Sequence, residues 1–523
     1  MTIALDTTGE IRKRVSARHR LRYLARTWLG LHRLSLLLLA PMLAVAGVVH
    51  VWGMSTYPRW VDDPGTYLSQ AWSVQYEGAL SPYSYFYDHT PAGWLQMALW
   101  SILTNGFNRY DSAIDFGNEC MLIAKLFSCA LLFALGRRIG LTRAGSAAAV
   151  LLLALSPVAV TYTRWTFLDN LVTPWLLLAF VLAYSPRRTI GAAMGAAAAF
   201  ALAALTKETA LVTLPAFAYA MAQNLDRRNR PQVIVMAAFT GILLMSLYPL
   251  FAIYKGELFP GQGHNSLLET ASWQLAGRQP SGSVLDPDSP ARDLLTSWLG
   301  LDQRLLIGAL AALPVALVVP RLRPAAVILV VQWLLLIRGG YVPYMHVITL
   351  LPWSALMIAG AAEQIGGAVR WLVGRGRHLP QLAAGACAVA LAAVWAPALS
   401  TMMTAREAPP LRSATEWVAD NVPRNKVLVV HDAIWTDLVH YKGFSPRPII
   451  AYKLDTDPAV ARTLRRIDYL VVPNWYYDSP DAKRYPTLLE ARKHAIAEIT
   501  FGTGDNGVRI YRVSGFWQPR RSS

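Results

Sequence analysis

The stretch that decides the fold is residues 34–54, "LSLLLLAPMLAVAGVVHVWGM", which contains no acidic residue, no Lys and no Arg. An α-helix needs about 20 such apolar residues to cross the hydrocarbon core of a membrane. The rest of the chain has a similar character: 54% of its 523 residues are apolar and 15% are charged. A soluble protein of this size carries more charge, and the short alternating segments of a transmembrane β-barrel do not occur. The sequence therefore predicts a polytopic α-helical membrane protein.

Further apolar runs follow the first, separated by short polar loops. The fifth and sixth runs meet at "LTKETA". They are interpreted as two helices, because one helix of about 35 residues at about 1.5 Å per residue would overshoot a core of about 30 Å. About eleven spans are predicted, at residues 34–54, 119–136, 144–162, 169–185, 189–206, 208–224, 232–254, 303–319, 324–338, 341–361 and 380–402.

The basic residues predict how the chain is oriented. The net charge is +17, and Lys and Arg are concentrated in residues 1–33 and in alternate loops such as "GRRIGLTR", "SPRR" and "PRLRP". Loops rich in Lys and Arg remain cytoplasmic, so segment 1–33 is predicted to lie inside, and loops 55–118 and 255–302 outside. An odd number of spans places residues 403–523 outside as well. The basic residues are thus topology signals and contacts to anionic lipids of the cytoplasmic (inner) membrane, and no nucleic-acid partner is predicted.

The cysteines and the N-terminus exclude two other interpretations. Cys120, Cys129 and Cys387 all fall in predicted spans, without CxxC or Cys/His metal spacing, so they are interpreted as packing residues. The run at 34–54 is long for a signal-peptide core and lacks a convincing cleavage site, so it is interpreted as an uncleaved first span.

Charged residues gather at the predicted outer ends of the spans. Single charges at such positions are ordinarily interfacial. Seven of them, from five separate loops on one face, are better explained by a shared cavity that contains both acids and bases. These residues are Asp62, Asp63, His89, Arg164, Asp169, Lys207 and Arg338.

The stretch "RWVDDPGTYLSQAW", residues 59–72, places two of these acids directly after the first span. Pro64 suits the first turn of a helix and Asp63 suits its N-cap, where the carboxylate would accept backbone N–H bonds. Asp62 lies before the cap and is free to point elsewhere. The helix that follows, with Tyr67 and Trp72, is predicted to lie along the membrane surface. Solvation and capping explain both acids without function, whereas the spacing favours a functional Asp62.

A dense aromatic group follows in "SPYSYFYDHTPAGW", residues 81–94, around Asp88 and His89. Aromatic side chains often form only a membrane-interface belt, but they also serve as platforms for sugar rings and polyprenyl chains. The adjacent titratable pair favours a site. The predicted lining of the substrate pocket is Tyr67, Tyr85, Tyr87, Asp88 and Trp94.

Together these motifs resemble the GT-C superfamily of polyprenyl-phosphate-sugar-dependent glycosyltransferases. Within it, the chain looks most like actinobacterial members of glycosyltransferase family 39, which includes protein O-mannosyltransferases and lipid A aminoarabinose transferases. The resemblance covers roughly residues 34–360. It is carried by Asp62-Asp63, by "YDHTPAGW", by "TRWTFLDNLVTPW" with Asp169, by "ALTKETALVTLP" with Lys207 and by "YVPYMHVITLLPW". The chain has Asp63 where many relatives have Glu, and "HTPAGW" replaces a His-or-Lys-Pro-Pro-Leu pattern.

The resemblance implies a GT-C fold, a polyprenyl-phosphate-linked sugar donor, and transfer with inversion to a glycan, lipid or protein acceptor at the outer membrane face. It assigns Asp62 as general base. The departing phosphate needs fixed cations, and the candidates are Lys207, Arg164, Arg338 and His89, with His346 as a further one. Each candidate also has a structural interpretation: a helix-terminal cation for Lys207, snorkelling for Arg164, an interfacial anchor for Arg338 and a core histidine for His346.

Asp169 could orient the acceptor, cap a helix, pair with a base or hold a cation. Some relatives use a divalent cation and others do not, so Mg²⁺ or Mn²⁺ held by Asp62 and Asp169 is left open.

The domain organisation follows from these segments. Residues 34–402 are predicted to form the catalytic membrane domain, with the long Gly/Pro/Ser-rich loop 255–302 folded over the mouth of the cavity. Residues 403–523 alternate between helical and strand patterns, such as "KVLVVHD" and "RRIDYLVVPNW", and predict a small α/β domain. This tail displays no catalytic constellation, and His431-Asp432 at the end of a strand is interpreted as a loop turn.

Two rival functions remain at this stage. A transporter or lipid flippase also buries charges, but it favours charges near the midplane and repeated halves with broken helices, whereas these acids lie in an outer loop and no repeat occurs. A non-catalytic membrane scaffold that displays the tail is the second alternative.

Overall fold

The computed structural model describes residues 3–5, 11–13, 17–261, 264–374 and 376–514. Parts of the predicted N-terminal segment 1–33 and of the predicted tail 403–523 lie outside these residues. The strands are β1 (Ile3–Leu5), β2 (Ile11–Lys13), β3 (Leu428–Val430), β4 (Ile449–Ile450), β5 (Tyr469–Pro473), β6 (Ala495–Phe501) and β7 (Val508–Val513).

The helices of the apolar part are α1 (Ala17–Val51), α2 (Pro64–Glu77), α3 (Ala92–Thr104), α4 (Gly106–Arg109), α5 (Ala113–Arg138), α6 (Arg143–Leu155), α7 (Pro157–Arg164), α8 (Leu168–Ala183), α9 (Ile190–Thr206), α10 (Leu214–Asn224), α11 (Arg230–Met245), α12 (Leu247–Tyr254), α13 (Leu267–Ser272), α14 (Pro290–Val318), α15 (Arg323–Ile337), α16 (Val347–Val373) and α17 (Leu379–Thr404). They are followed by α18 (Pro409–Asn421), α19 (Asp432–Thr436), α20 (Lys453–Thr456), α21 (Pro458–Thr463), α22 (Trp475–Asp478) and α23 (Pro486–Lys493).

Among the described residues, six stretches are long and apolar enough to cross a membrane: Leu29–Val51, Ala113–Arg138, Arg230–Tyr254, Pro290–Val318, Tyr344–Val373 and Leu379–Asn421. The bent pair α6 and α7 raises the number to seven, and α8, α9 and α15 are shorter apolar helices. Every predicted span overlaps at least one helix. The polytopic helical fold is therefore confirmed, while the number of eleven spans remains a prediction.

The predicted span 144–162 is broken rather than straight. Helices α6 and α7 meet at an angle of 62°, because Pro157 has no N–H to continue the ladder of hydrogen bonds. Buried side chains bind the carbonyls near the break: Nζ of Lys125 donates to Leu153 at 3.0 Å, and Nε2 of His50 lies 3.1 Å from the oxygen of Ala154. These two polar side chains inside the bundle thus have a structural explanation.

Helix α2 is packed inside the protein rather than exposed on its surface. Its residues from Pro64 to Ser73 are mostly buried, and it packs against α3 on one side and α19 of the C-terminal region on the other. A Cβ on Gly65 would lie 2.1 Å from the carbonyl carbon of Asp432, so the two backbones touch. The C-terminal region therefore covers this helix, and its predicted position along the membrane surface remains a prediction.

The C-terminal region contains a five-stranded sheet in the order β4-β3-β5-β7-β6. Strand β3 is parallel to β4 and β5, whereas β7 is antiparallel to β5 and β6. A small, partly parallel sheet is therefore present as the sequence predicts. The boundaries of a separate domain at 403–523 remain a prediction.

Two details of this sheet differ from the sequence prediction. The pattern of residues 487–499, "TLLEARKHAIAEI", predicts one helix, but α23 ends at Lys493 and β6 begins at Ala495. Pairing with β7 stabilises the strand and outweighs the helical pattern of this segment. The short strand β4 was not predicted.

Candidate active site

The two adjacent acids lie where α2 begins. Pro64 is the first helical residue and Asp63 precedes it, as predicted, but the carboxylate of Asp63 makes no capping hydrogen bond. Its backbone is left-handed, with φ of 81° and ψ of −50°. The predicted cap contact is therefore wrong, and the residue carries strain of about 1–3 kcal/mol of a kind that is concentrated at functional sites.

The environment of Asp63 makes it a group that can exchange protons. Burial raises the pKa of Asp63 to about 6, with Lys207 opposing this rise and Asp62 adding to it. His89 and Asp88 influence the same carboxyl. The acids of the first loop and the cation after α9 are thus in one electrostatic environment, as the sequence predicts for a shared site.

Lys207 and Asp169 form a buried ion pair. Nζ of Lys207 lies 2.7 Å from Oδ2 of Asp169, and the two residues are 2% and 3% exposed. Asp169 is in the first turn of α8, and Lys207 directly follows α9. An ammonium has three N–H donors, and within the described residues Nζ makes this one hydrogen bond. The other two donors are available to a ligand.

His89 and Glu208 form a second ion pair beside the first. Nδ1 of His89 lies 3.0 Å from Oε1 of Glu208. Burial alone would lower the pKa of His89, but the charge and hydrogen bond of Glu208 outweigh it and raise the pKa above its usual value. Burial likewise opposes ionisation of Glu208, yet His89 and Lys207 bring its pKa down to about 2. Nε2 of His89 has no hydrogen-bond partner in the part of the chain described, so a second N–H remains free.

Asp62 is held from both halves of the molecule. The hydroxyl of Tyr344, just before α16, donates to its main-chain oxygen at 2.9 Å. The hydroxyl of Tyr476, in α22, donates to its Oδ1 at 2.8 Å, and Nε2 of His431 lies 3.1 Å from the same oxygen. The interpretation of His431-Asp432 as a loop turn alone is therefore wrong, because His431 also contacts Asp62.

Asp432 connects this group to α2. Its Oδ2 accepts hydrogen bonds from the backbone N–H and the hydroxyl of Thr66, at 2.9 and 3.0 Å. Its Oδ1 lies 3.1 Å from Nδ1 of His431. Burial raises the pKa of Asp432 to about 7, His431 opposing and Asp62 adding to the rise. Two carboxyls and an imidazole therefore meet where α2 touches the C-terminal region.

This group of three is also the part of the site that fits a divalent cation. One ligand atom each from Asp62, His431 and Asp432 lies within 4.8 Å of the others. Nε2 of His431 and Oδ1 of Asp432 are buried and make no aligned hydrogen bond within the described residues, and nitrogen with carboxylate oxygen suits Zn²⁺ or Mn²⁺. This group contains Asp62 but not Asp169, whose Oδ2 binds Lys207, so the predicted ligand pair of Asp62 and Asp169 remains a prediction.

The other three predicted phosphate ligands differ in their surroundings. The guanidinium of Arg164 donates to the carbonyls of Val49, Trp52 and Tyr57, at 2.8, 2.8 and 3.2 Å, and so binds the end of the first span. Arg338 is exposed, and its side chain lies against the backbone of Gly340. The ring of His346 stacks on Trp298 at 6.3 Å between centroids. Arg164 therefore has a structural role, and phosphate binding by Arg338 or His346 remains a prediction.

The predicted aromatic pocket is more closely packed than a row of open platforms. Tyr67 and Trp94 are 3% and 0% exposed, and Tyr67 lies 6.0 Å from the ring of His89. Tyr85 donates to the carbonyl of His89 at 2.7 Å. Tyr87 donates to Glu257 in the outer loop at 2.6 Å. These side chains fix the His89 segment in place.

Asp88 belongs to the same electrostatic environment as the acids and His89. It acts electrostatically on Asp63, His89 and Lys453. The outer loop covers this segment, since Gln274 donates to the carbonyl of Asp88 at 2.9 Å. This contact is consistent with the predicted position of loop 255–302 over the site.

Sequence reasoning missed five residues of this cluster: Glu208, Tyr344, His431, Asp432 and Tyr476. Two had a usable signal. Glu208 directly follows Lys207, and the His-Asp pair follows a buried strand, a place where ligands often bind in open α/β sheets. The two tyrosines carried none, because only the folded chain brings them to Asp62.

The arrangement provides one partly exposed carboxylate with a free oxygen, a second carboxyl with a pKa near neutrality, and two cations with unused N–H groups. Carboxylates suit proton abstraction, and fixed cations suit an oxyanion that develops during reaction. The cluster lies where α2, α8, α9 and α16 begin or end, so it is at one end of the helical bundle.

Comparisons with known proteins agree with this geometry. Residues 94–249, less than half of the chain, match the family model for dolichyl-phosphate-mannose-protein mannosyltransferase. The matched segment begins at Trp94 and includes Asp169, Lys207 and Glu208. No curated protein matches the chain in sequence.

Solved structures share the fold at low sequence identity. ArnT from Cupriavidus metallidurans bound to undecaprenyl phosphate has a TM-score of 0.56 and 13% identity, over 93% of this chain and 99% of that one. The apo oligosaccharyltransferase of Archaeoglobus fulgidus has a TM-score of 0.57 and 11% identity, over 93% of this chain and 75% of that one. The archaeal AglB in complex with an inhibitory peptide and a dolichol-phosphate has a TM-score of 0.52 and 11% identity, over 94% and 75%. The chain thus has the fold of GT-C membrane glycosyltransferases, and its resemblance to family 39 is confirmed.

Proposed function

We propose that this protein is an inverting membrane glycosyltransferase that moves a sugar from a polyprenyl-phosphate donor to an acceptor hydroxyl at the extracytoplasmic face of the cytoplasmic membrane. The observation that carries the proposal is the single cluster that joins Asp62 to the Lys207–Asp169 and His89–Glu208 pairs through Asp63. It combines, at one end of an apolar bundle, a base for a hydroxyl and cations for a phosphate.

The donor phosphate is bound by Lys207 and His89. Each has one N–H directed to a carboxylate and others that are unused among the described residues. Because these carboxylates already hold the two cations in place, the cations need not reorganise when the phosphate gains charge during reaction. The match to a dolichyl-phosphate-mannose-dependent family, and the undecaprenyl phosphate in the ArnT structure, support this class of donor.

The acceptor hydroxyl is deprotonated by Asp62. The acceptor oxygen forms a bond to the anomeric carbon, the bond from that carbon to the phosphate oxygen breaks, and the proton of the hydroxyl moves to the carboxylate. Attack from the face opposite the leaving group inverts the anomeric centre. Asp63, whose pKa burial raises to about 6, lies next in the chain and exchanges the proton with solvent.

Asp62, His431 and Asp432 would hold a divalent cation if one is bound. Such an ion would supply positive charge near the developing phosphate and lower the pKa of a bound hydroxyl. The residues of the chain itself orient Asp62 and bind the phosphate in either case.

The test is donor consumption by purified protein in lipid, with a panel of polyprenyl-phosphate sugars and a mixed acceptor extract. Asp62→Asn is expected to lower the rate by about 10²–10⁴-fold, the usual contribution of a general base. Asp111→Asn is the matched control, since Asp111 is an exposed acid in the same loop. Movement of the lipid without loss of its sugar would identify a flippase instead, and equal rates for both variants would exclude Asp62 as the base.

A further inference from the structure

The C-terminal sheet delivers two side chains to one carboxylate. Strands β3 and β5 are parallel neighbours, so their carboxyl ends lie at the same edge of the sheet. His431 directly follows β3, and Tyr476 follows β5 within α22. Both reach Asp62, 414 residues before Tyr476 in the sequence. This edge is therefore directed at the acid that the proposed function uses as its base.

The contacts distinguish the two oxygens of that carboxylate. Oδ1 of Asp62 accepts from the hydroxyl of Tyr476 at 2.8 Å and lies 3.1 Å from Nε2 of His431. Within the described residues Oδ2 accepts no hydrogen bond. The side chain is 28% exposed, so the free oxygen is accessible. With its main-chain oxygen bound by Tyr344, Asp62 is restrained at both ends.

Tyr476 is itself held firmly. It is 0% exposed, its ring stacks on Trp475 at 4.0 Å between centroids, and it lies 4.7 Å from the ring of Tyr485. A phenol restrained in this way keeps its hydroxyl at a fixed point. The hydrogen bond from this hydroxyl therefore fixes the carboxylate of Asp62 relative to the sheet.

We propose that Tyr476 is a positioning residue of the active site: it binds Oδ1 of Asp62 and leaves Oδ2 as the oxygen that meets the acceptor hydroxyl. The inference rests on the proposed function, since it gives the C-terminal region a role in that same reaction. The membrane bundle contains Asp62, but the side chains that orient its carboxylate come from the C-terminal region. The sheet therefore completes the site.

The expected effect is on rate rather than on donor binding. Tyr476 binds the carboxylate that takes the proton and has no contact with Lys207 or His89 among the described residues. A carboxylate misplaced by about 1 Å loses up to about 10²-fold in rate. Removal of the hydroxyl is therefore expected to lower kcat by about 10- to 100-fold and to leave the KM for the donor within about two-fold.

The decisive experiment compares Tyr476→Phe with Tyr477→Phe in the full-length protein. Both changes remove one buried phenolic oxygen from the same helix. The hydroxyl of Tyr477 has no partner among the described residues, and its ring packs on Tyr511 and Arg492, so Y477F is expected to retain the wild-type kcat. Thermal unfolding of both variants identifies any loss of fold.

A double variant tests whether Tyr476 acts through Asp62. In an Asp62→Asn background, Tyr476→Phe is expected to change the residual rate by less than about two-fold, because the carboxylate it orients is gone. A full further loss in that background would overturn the proposal, as would equal kcat values for Y476F and Y477F. Elemental analysis gives a further check. If wild type holds a stoichiometric divalent metal and Y476F has lost it, the proposal is also overturned, because loss of the metal would then explain the lower rate.

Failure of the proposed function gives a different result. If wild-type protein consumes no polyprenyl-phosphate sugar, the function itself is wrong. If wild type is active and D62N is inactive while Y476F matches Y477F, the positioning role alone is wrong.

Discussion

Asp169→Asn isolates the buried ion pair, because it preserves the size of the side chain and removes the charge that faces Lys207. At an effective dielectric constant of about 20, unit charges 2.7 Å apart attract each other by about 6 kcal/mol. Lys207 can instead lose its proton, which costs about 5 kcal/mol at pH 7 from a usual pKa of about 10.4. This second route limits the loss, so we expect a destabilisation of about 3–5 kcal/mol, as for other broken buried pairs.

The assay is thermal unfolding of the purified protein in nanodiscs, with tryptophan fluorescence as the probe. The loss in Asp169→Asn is expected to shrink as the pH is raised from 7 to 9, because deprotonation of the unpaired lysine becomes cheaper. A double variant, Asp169→Asn with Lys207→Met, is expected to recover much of the stability and none of the donor consumption. An unfolding temperature equal to that of wild type in the single variant, or a double variant less stable than the single one, would refute the reasoning.

Further predictions concern the second ion pair, the sheet contact and the two arginines. The pKa of His89 is raised, so the stability that its protonated form adds is fully present below about pH 6.5 and is lost as the pH rises through the pKa of the folded state. The KM for the donor should rise over the same pH range. Glu208→Gln should move that rise in KM to lower pH. Gly65→Ala would place a Cβ 2.1 Å from the backbone of the C-terminal region, so limited proteolysis should cleave that region faster and activity should fall. Arg164→Gln should lower the unfolding temperature, because about 1 kcal/mol is lost for each of several hydrogen bonds to carbonyls, with donor KM unchanged. Arg338→Ala should leave both stability and KM within error, since the side chain is exposed, and a ten-fold rise in KM for either arginine variant would restore it as a phosphate ligand.

Much of the membrane part was predictable because hydrophobicity acts locally. The run at residues 34–54 needs only its own composition to specify a helix, and the same reasoning places a helix at every predicted span. Proline also acts locally. The start of α2 at Pro64 agrees with the prediction. The break before Pro157 was not predicted, although the missing N–H of that proline is a sufficient signal for it.

The candidate site was less predictable, because its contacts join distant parts of the chain. The shared end of the spans correctly grouped Asp63, Asp169 and Lys207. The same argument placed Arg164 with them, although the nearby carbonyls of the first span bind its guanidinium. Position along a span states the depth of a side chain but not the direction in which it points.

The contacts of the C-terminal region were beyond sequence reasoning for a different reason. A buried strand such as β5 predicts that its end lies at a sheet edge, but not what that edge faces. The role of Tyr476 follows only from how the sheet packs on α2.

The separation of 414 residues between the two ends of the Asp62 contact has a consequence for how the protein is made. The first loop leaves the ribosome long before the sheet that orients its carboxylate, since domains fold in order of synthesis. During this interval the nascent chain contains Asp62 without the Tyr476 hydroxyl that binds its carboxylate in the folded protein. If Tyr476 positions Asp62 as proposed, a chain that ends before α22 is expected to transfer sugar about 10- to 100-fold more slowly than the full-length protein.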